Sequence, residues 1–369
     1  MTMSKQIFSA VSVIAMGAAL AGTASAAEYE NASGGKVTFY GHINPAIVSV
    51  DDGVNSETNL GDSAKSNSRL GFRIVQPMDA GTLKFNFETG LGLGSTSAFG
   101  QGTSPDNIDW DRTDIRKIDV SFVSNSFGTI SLGQGSMATD GVAFMDGTGT
   151  GLVSDAAIGD FAGGFQFTTT GGALSGIEIG DAFGTFDGGR KGRVRYDSPS
   201  FNGFTVSAAY GTEILKAGND DDFYDIALRH KGEFGDFEVN SALGMSWTKS
   251  GGTTTDAVLA SVGVSHASGL SAALATGDQD GGANYVYAKL GYGADLISAG
   301  KTYFSIDLFE GDDFNTAGSE SSSWGVGVVQ KLNKYNAEVY AGYRDYSYDD
   351  AANTYNDASS IVFGTRLKF

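Results

Sequence analysis

The sequence predicts an all-β fold, a transmembrane antiparallel β-barrel of sixteen strands whose third long loop folds into the lumen. From Lys36 onward, apolar residues alternate with small or polar ones at a period of two, which indicates strands with two different faces. The connectors between these strands alternate between short and long. After the N-terminus, no segment has enough consecutive apolar residues to cross a bilayer as a helix.

The N-terminus has the features of an export signal. Lys5 precedes an apolar run over 7–20, and Ala24-Ser25-Ala26 forms a small-residue cleavage site. We therefore expect residues 1–26 to be removed and residues 27–369 to form the barrel. Cysteine is absent, so no disulfide stabilises the exported chain. The formal net charge of −19 and the lack of a basic stripe argue against a nucleic-acid partner.

The predicted strands follow the alternating pattern along the chain, and several exceed the usual globular length of about five or six residues. They cover 36–49, 66–77, 80–94, 112–125, 127–135, 190–199, 203–212, 222–233, 236–248, 256–268, 270–277, 283–293, 300–310, 320–332, 335–347 and 358–369.

Seven short turns and eight longer polar loops connect these strands. Such alternation is typical of outer-membrane barrels, which have short periplasmic turns and longer outer loops, with both termini on the short-turn side. A secreted β-sandwich or β-helix is the alternative, but it has no reason to alternate so regularly. A sandwich would also need large apolar side chains on its inward faces.

The parity of the side chains shows which face meets lipid. In the strand 236–248, Phe237 and Leu243 share an apolar face, whereas Glu238 and Asn240 lie on the other. Across the strands, the polar face is rich in glycine, serine and threonine. We expect an apolar surface in lipid and a wet lumen without a packed core.

The segment 136–189 is the longest connector, and it is rich in glycine and acidic residues. A long loop of this kind in a compact fold is usually functional. We predict that it narrows the pore, with Asp140, Asp146, Asp155 and Asp160 on the acidic side of the constriction. Its apolar runs near 165–168 and 177–179 could instead add a hairpin and give eighteen strands. We favour sixteen, because neither run is long enough to span the membrane.

Basic residues on the strands flanking this loop share the lumenal parity. They are Arg69, Arg73, Lys84, Lys117, Lys191, Arg193 and Arg195. Opposite an acidic loop, such a basic wall would create a transverse field, which sets selectivity without tight binding. Alternatively, these side chains form salt bridges within the wall, to Asp119, Glu88 or Asp114. The sequence leaves both interpretations open for each residue.

Several motifs resemble those of Gram-negative general-diffusion porins. The segment 192–204 reads GRVRYDSPSFNGF and resembles the stretch that follows the third loop in that family, while 35–43 and 66–73 resemble its first and second strands. The C-terminal Phe369 resembles the family's signal to the outer-membrane assembly machinery. The resemblance implies a homotrimer in the outer membrane of a Gram-negative bacterium, surrounded by lipid and lipopolysaccharide, with the third loop narrowing each pore.

The function that this resemblance implies is passive diffusion of small hydrophilic solutes and ions. Because acidic residues exceed basic ones, we expect a weak preference for cations. A sugar-specific channel is the first alternative, in which Tyr40, Tyr285 and Tyr287 would form a stacking track. A structural or adhesive barrel is the second alternative, although it would need several large outer loops.

Catalysis and cofactors receive little support from the sequence. The three histidines, His42, His230 and His266, accompany no nucleophile motif, so an enzyme is not expected. We expect no cofactor. Calcium in the acidic runs 218–222 and 311–313 is an alternative, although neither run has the spacing of an EF-hand loop.

Overall fold

The computed structural model describes residues 28–105 and 108–369, so the predicted signal 1–26 lies outside the described residues. The strands are β1 (Glu28–Glu30), β2 (Lys36–Ile43), β3 (Pro45–Asp51), β4 (Ser56–Asp62), β5 (Arg69–Met78), β6 (Gly81–Gly90), β7 (Ile115–Ser124), β8 (Thr129–Ser136), β9 (Gln166–Thr168), β10 (Leu174–Glu178), β11 (Arg190–Asp197), β12 (Phe204–Thr212), β13 (Asp222–Phe234), β14 (Phe237–Ser250), β15 (Thr253–His266), β16 (Leu270–Gln279), β17 (Asn284–Ile297), β18 (Gly300–Asp312), β19 (Glu320–Leu332), β20 (Ala337–Asp349) and β21 (Ala358–Lys368).

Helical structure is limited to short turns. An α-helical turn spans Ile179–Ala182, and 3-10 turns span Ala64–Ser66, Thr96–Ala98, Arg112–Asp114, Val142–Phe144, Ile158–Phe161 and Asn333–Tyr335. Within the part of the chain that the structure describes, no helix combines the length and the hydropathy needed to cross a membrane.

Antiparallel pairing closes the sheet into a barrel. Each strand from β5 to β8 and from β11 to β21 pairs with its neighbour along the chain, and β8 pairs with β11 across the long loop. The ring closes where β21 pairs with β2 and β3, and where β2 pairs with β5. Because β2 with β3 and β4 with β5 each form one interrupted wall strand, the barrel has sixteen strands, as predicted.

The extra hairpin exists, but it is not part of the barrel. β9 and β10 pair only with each other and form a separate two-stranded sheet inside the segment 137–189. β1 adds to the start of β2. The alternative of eighteen barrel strands is therefore wrong.

The second wall strand differs most from its predicted bounds. The predicted strands 36–49 and 66–77 leave 50–65 as a loop. Residues Ser56–Asp62 within it instead form β4, which pairs with β3 from Pro45↔Asp62 to Asp51↔Ser56. The chain then leaves the wall over 63–68 before β5 begins. The sequence did not reveal β4, because SETNLGD has one large apolar residue and no alternation.

Outward-facing side chains form an apolar surface. Phe237 and Leu243 are both 48% exposed, whereas Ala242, which has the opposite parity in the same strand, is buried. Closure of the sheet leaves no strand edge unpaired, so the backbone N–H and C=O groups of the wall are hydrogen-bonded. An apolar exterior can then face lipid. The predicted direction of the alternation holds for this strand.

The interior contains a packed core, which contradicts the expectation of a uniformly wet lumen. Phe309 of β18 is fully buried; it stacks on Tyr285 with ring centroids 5.4 Å apart and meets Phe183 of the loop edge-on at 5.3 Å. Strand parity did not predict this core because the loop supplies half of it, including the fully buried Phe167 and Ile179. The loop thus fills one side of the barrel.

Candidate functional site

The segment 137–189, called the inner loop below, runs along the inner surface of β13 to β20. The backbone N–H of Thr139 donates to Asp225 of β13 at 2.7 Å, and that of Met145 donates to Ser261 of β15 at 3.1 Å. Further along, the hydroxyl of Ser154 donates to Asp307 of β18. These contacts hold the inner loop against one wall and leave the opposite wall, β5 to β8, facing open space.

Two buried lysines anchor the acidic side of the inner loop. Lys289 of β17 is 1% exposed at its side chain and lies 2.9 Å from the carboxylate of Asp146. Lys65, equally buried, contacts Asp155 and lies 3.5 Å from Asp160. Three of the four predicted constriction acids therefore pair with buried lysines. Sequence analysis missed both lysines, because parity assigns a face to a residue but does not identify its partner.

The beginning and the end of the inner loop meet at Asp187. Its carboxylate accepts hydrogen bonds from the backbone N–H groups of Gly141 at 2.6 Å and Ala143 at 2.7 Å. Burial, with a smaller contribution from Asp140, raises the pKa of Asp187 from 3.8 to about 7. The fourth predicted acid, Asp140, lies 3.9 Å from Arg190 at the start of β11.

The basic wall centres on Arg69 and a residue that the sequence analysis missed, Arg116. Arg116 donates from Nε to Glu88 at 2.8 Å, and Arg69 lies 3.6 Å from the same carboxylate. Strand parity pointed to Lys117 instead. The register of β6 and β7 shifts between Glu88 and Thr89, and a bulge of this kind lets successive residues face the same side.

The other predicted basic residues differ in their surroundings. Arg193 has a 5% exposed side chain 2.8 Å from Asp119; Lys191 lies 2.8 Å from Glu213, and Arg195 lies 2.7 Å from Asp197. These three side chains therefore form salt bridges, as in the alternative interpretation of the basic residues. Arg73 stacks over the ring of Tyr40, 4.5 Å from its centroid, while Lys84 and Lys117 are half-buried.

Two open cavities meet at Arg116. One, of about 260 Å³, is lined by Asn67, Arg116 and Arg190 and extends to Lys216 of an outer loop. The other, of about 370 Å³, is lined by Asn67 and Arg116 on the wall and by Asp160 on the inner loop. Asn67 and Arg116 thus border both cavities.

Two tyrosines of the predicted sugar track lie outside this site, and the described acidic runs lack the geometry of a metal site. Tyr285 and Tyr287 lie in the core behind the inner loop, 1% and 3% exposed, so neither faces the passage. Among residues 28–105 and 108–369, no group of three or more histidine or carboxylate side chains is arranged to hold a metal ion.

Known outer-membrane proteins have the same architecture. The sequence model of a family described as Gram-negative porin matches residues 10–351. The anion-selective porin from Comamonas acidovorans is 20% identical, with a TM-score of 0.60 over 91% of this chain and 100% of that chain. OmpF of Salmonella typhi, in a complex with daunomycin, is 14% identical, with a TM-score of 0.61 over 93% of this chain and 100% of that chain.

OprB of Pseudomonas putida is 8% identical, with a TM-score of 0.62 over 90% of this chain and 94% of that chain. A search of curated protein sequences gives no significant match. At these identities the solved structures establish the fold, whereas the family model covers most of the sequence. The chain therefore belongs to the Gram-negative porin family and forms a transmembrane β-barrel channel in the outer membrane.

Proposed function

We propose that this channel conducts small hydrophilic solutes and ions by passive diffusion, with a weak preference for cations. The observation that carries the proposal is the position of the inner loop. It packs against one half of the barrel and leaves a polar passage along β5 to β8, bounded by the basic wall and by Asp160 of the loop. Both cavities that border the basic wall are open to solvent, which favours diffusion over catalysis.

The proposed cation preference rests on the balance of charge. The chain has 43 acidic and 24 basic residues. Asp146, Asp155 and Asp160 are paired with buried lysines, whereas Asp140 has a longer contact, 3.9 Å from Arg190, and Asp187 accepts backbone N–H groups. We therefore assign the acidic pole of the passage mainly to Asp140 and Asp187. Excess carboxylates in a narrow, low-dielectric passage raise the local concentration of cations.

The test is the reversal potential of the purified protein in planar bilayers under a tenfold KCl gradient. We expect an ohmic conductance and a small potential of the sign that cation flux produces. Asp140→Asn should reduce that potential, whereas Asp181→Asn, at an exposed position of the same loop, should not. A potential of the opposite sign would contradict the selectivity alone, and absence of conductance would contradict the diffusion function.

We also propose that the channel works as a homotrimer. Phe39, Phe72 and Phe87 cluster on the outer face of β2, β5 and β6, with ring centroids 5.6 to 5.9 Å apart around Phe72. A concentrated aromatic surface suits a subunit contact. One similar structure, OmpT of Vibrio cholerae, is described as a trimer form. Native mass spectrometry in detergent should give three chains, and Phe72→Arg should give one.

Lipid and lipopolysaccharide around the outer face, and the assembly machinery at Phe369, are further proposed partners. A sugar-specific channel is the second candidate, but burial of Tyr285 and Tyr287 removes two residues of its stacking track. Saturable current block by a single sugar would favour that candidate over general diffusion.

A further inference from the structure

The second wall strand turns into the lumen over 63–68, and this inward turn is held at both ends. The backbone N–H of Ser63 donates to the carbonyl of Asn44 at 3.0 Å, exactly where the first wall strand is also interrupted. The Asn44 amide donates to the carbonyl of Ser66 at 2.8 Å, and the Ser68 N–H donates to Asp62 at 2.7 Å. Hydrogen bonds between the two interruptions therefore satisfy the backbone N–H of Ser63 and the carbonyls of Asn44 and Ser66, and they fix the turn.

Asn67, at the end of the inward turn, holds two arginines together. Its side-chain oxygen accepts from Arg69 at 2.9 Å and from Arg116 at 3.1 Å. Its carbonyl accepts a further bond from Arg69 Nε at 2.9 Å. Since Glu88 also contacts both guanidinium groups, two like charges share two acceptors and lie side by side.

Both guanidinium groups keep donors free for a solute. Each guanidinium has five N–H donors. In the described part of the chain, hydrogen bonds use two donors of Arg69 and two of Arg116. Nearby, the Nε of Arg190 is buried and has no hydrogen-bond partner among the described residues. The donors of this wall therefore exceed the acceptors that the protein supplies.

The surrounding charge leaves this region positive. Arg69, Arg116 and Lys117 share Glu88. Among residues 28–105 and 108–369, the ion-pair partner of Arg190 is Asp140, at 3.9 Å. The other carboxylates that line the adjoining cavities have donors of their own. Asp62 is bonded to Ser68, and Asp114 accepts from the N–H of Asp111. Asp160 lies beside Lys65, and Glu213 lies 2.8 Å from Lys191.

The cavities give access and room. Each has space for several water molecules, and both border Asn67 and Arg116. Either volume is large enough for a small tetrahedral oxyanion.

From these contacts we infer that Arg69 and Arg116, positioned by Asn67, form a lumenal subsite for doubly charged oxyanions, with inorganic phosphate as the representative ligand. The inference rests on the proposed channel function and adds a solute class to it. Planar guanidinium groups bind two oxygens of one anion at once, which gives phosphate an advantage over chloride. Bound phosphate would neutralise the basic pole of the passage.

The experiment measures the reversal potential under a fixed KCl gradient while inorganic phosphate is added equally on both sides at pH 8. We expect a shift towards the potassium potential that saturates at millimolar phosphate. Arg69→Gln with Arg116→Gln should raise the half-saturating concentration about tenfold or abolish the shift, as one charge-assisted hydrogen bond is worth about that factor. Lys249→Gln, which removes an exposed charge outside the lumen, should leave the shift unchanged.

A second variant separates geometry from charge. Asn67→Ala keeps both arginines but removes the shared acceptor, so we expect weaker saturation with phosphate even though the lumenal charge is the same. A shift that rises linearly without saturation, or that is equal in all variants, would overturn the subsite. Ohmic KCl conductance in the same recordings tests the channel function separately, because it requires no phosphate.

Discussion

Individual carboxylates of the inner loop meet different surroundings, and this decides which of them can respond to pH. Asp146 faces the ammonium group of Lys289 at 2.9 Å. Asp187 instead accepts two backbone N–H groups, and no ion pair joins it to a cation within the described residues. Burial of a carboxylate without a paired cation favours its neutral form, which is the reason that the pKa of Asp187 reaches about 7.

Asp187 should make the channel sensitive to pH near neutrality. As pH falls from 8 to 6, the carboxylate gains a proton and the passage loses a negative charge, so the cation preference should decrease. Because the pKa is raised in the folded state, ionisation of Asp187 lowers the free energy of unfolding, and this loss is complete above about pH 7. The loss is absent below the ordinary pKa of 3.8, where the carboxyl is protonated in both states. Reversal potentials recorded over this pH range provide the measurement.

The control compares two positions of the same loop. Asp187→Asn should remove the change between pH 8 and 6, while Asp181→Asn, whose side chain is exposed, should retain it. An identical pH profile in wild type and Asp187→Asn would assign the titration to another group.

At this scale the sequence identified candidates but not their roles. The period of two predicts the lumenal face for Arg69 and Arg73, because the direction of a side chain in a strand follows from alternation alone. Pairing between Arg193 and Asp119, or between Lys65 and Asp155, depends on contacts between distant strands and loops. Arg116 was missed because a bulge reverses parity, and a bulge leaves no clear signal in a single sequence.

At the scale of elements, glycines of the wall fit the inner loop. A Cβ at Gly263 would lie 2.8 Å from the backbone of Asp146, one at Gly291 would lie 2.7 Å from Thr148, and one at Gly327 would lie 2.6 Å from Val153. These distances are shorter than carbon atoms tolerate. The loop therefore lies directly on the backbone of β15, β17 and β19, and these three glycines permit this close approach.

A substitution at Gly342 of β20 tests this fit. A Cβ there would overlap the side chain of Val153, so Gly342→Ala should displace the loop and lower stability by about 1–3 kcal/mol. In a Val153→Ala background the same substitution should cost less, because the overlapping methyl groups are gone. Thermal unfolding of wild type, both single variants and the double variant gives the coupling free energy between the two positions. If the losses in stability are additive, Gly342 and Val153 are not in contact.

The strands were predictable as elements and their interruptions were not. Alternation over ten or more residues, as in β14 and β15, fixes both the existence and the orientation of a strand. At the interruptions at Asn44 and 63–68, side chains replace backbone hydrogen bonds of the wall, such as the bond from the Asn44 N–H to the hydroxyl of Ser68 at 2.8 Å. That partner is far away in the sequence.

For the molecule as a whole, the barrel interior is divided into a filled half and an open half. The inner loop and the walls from β16 to β21 share one hydrophobic core, whereas the wall from β5 to β8 borders the two cavities at Arg116. Stability and conduction should therefore depend on different sides of the same barrel. Sixteen strands alone do not imply this division, since it comes from the sequence of one loop.

Paired substitutions on the two sides test the division. Phe309→Ala removes a fully buried ring between Tyr285 and Phe183 and should lower stability by about 3–5 kcal/mol, since truncating a buried aromatic leaves a cavity. Lys84→Gln, at a half-buried position on the open side, should change stability by less than about 0.5 kcal/mol. Its effect should instead be a reversal potential shifted towards cations, because one positive charge leaves the passage. Unfolding midpoints and bilayer recordings on both proteins separate the effects. A core position that alters selectivity as strongly as Lys84 would show that the passage extends behind the inner loop.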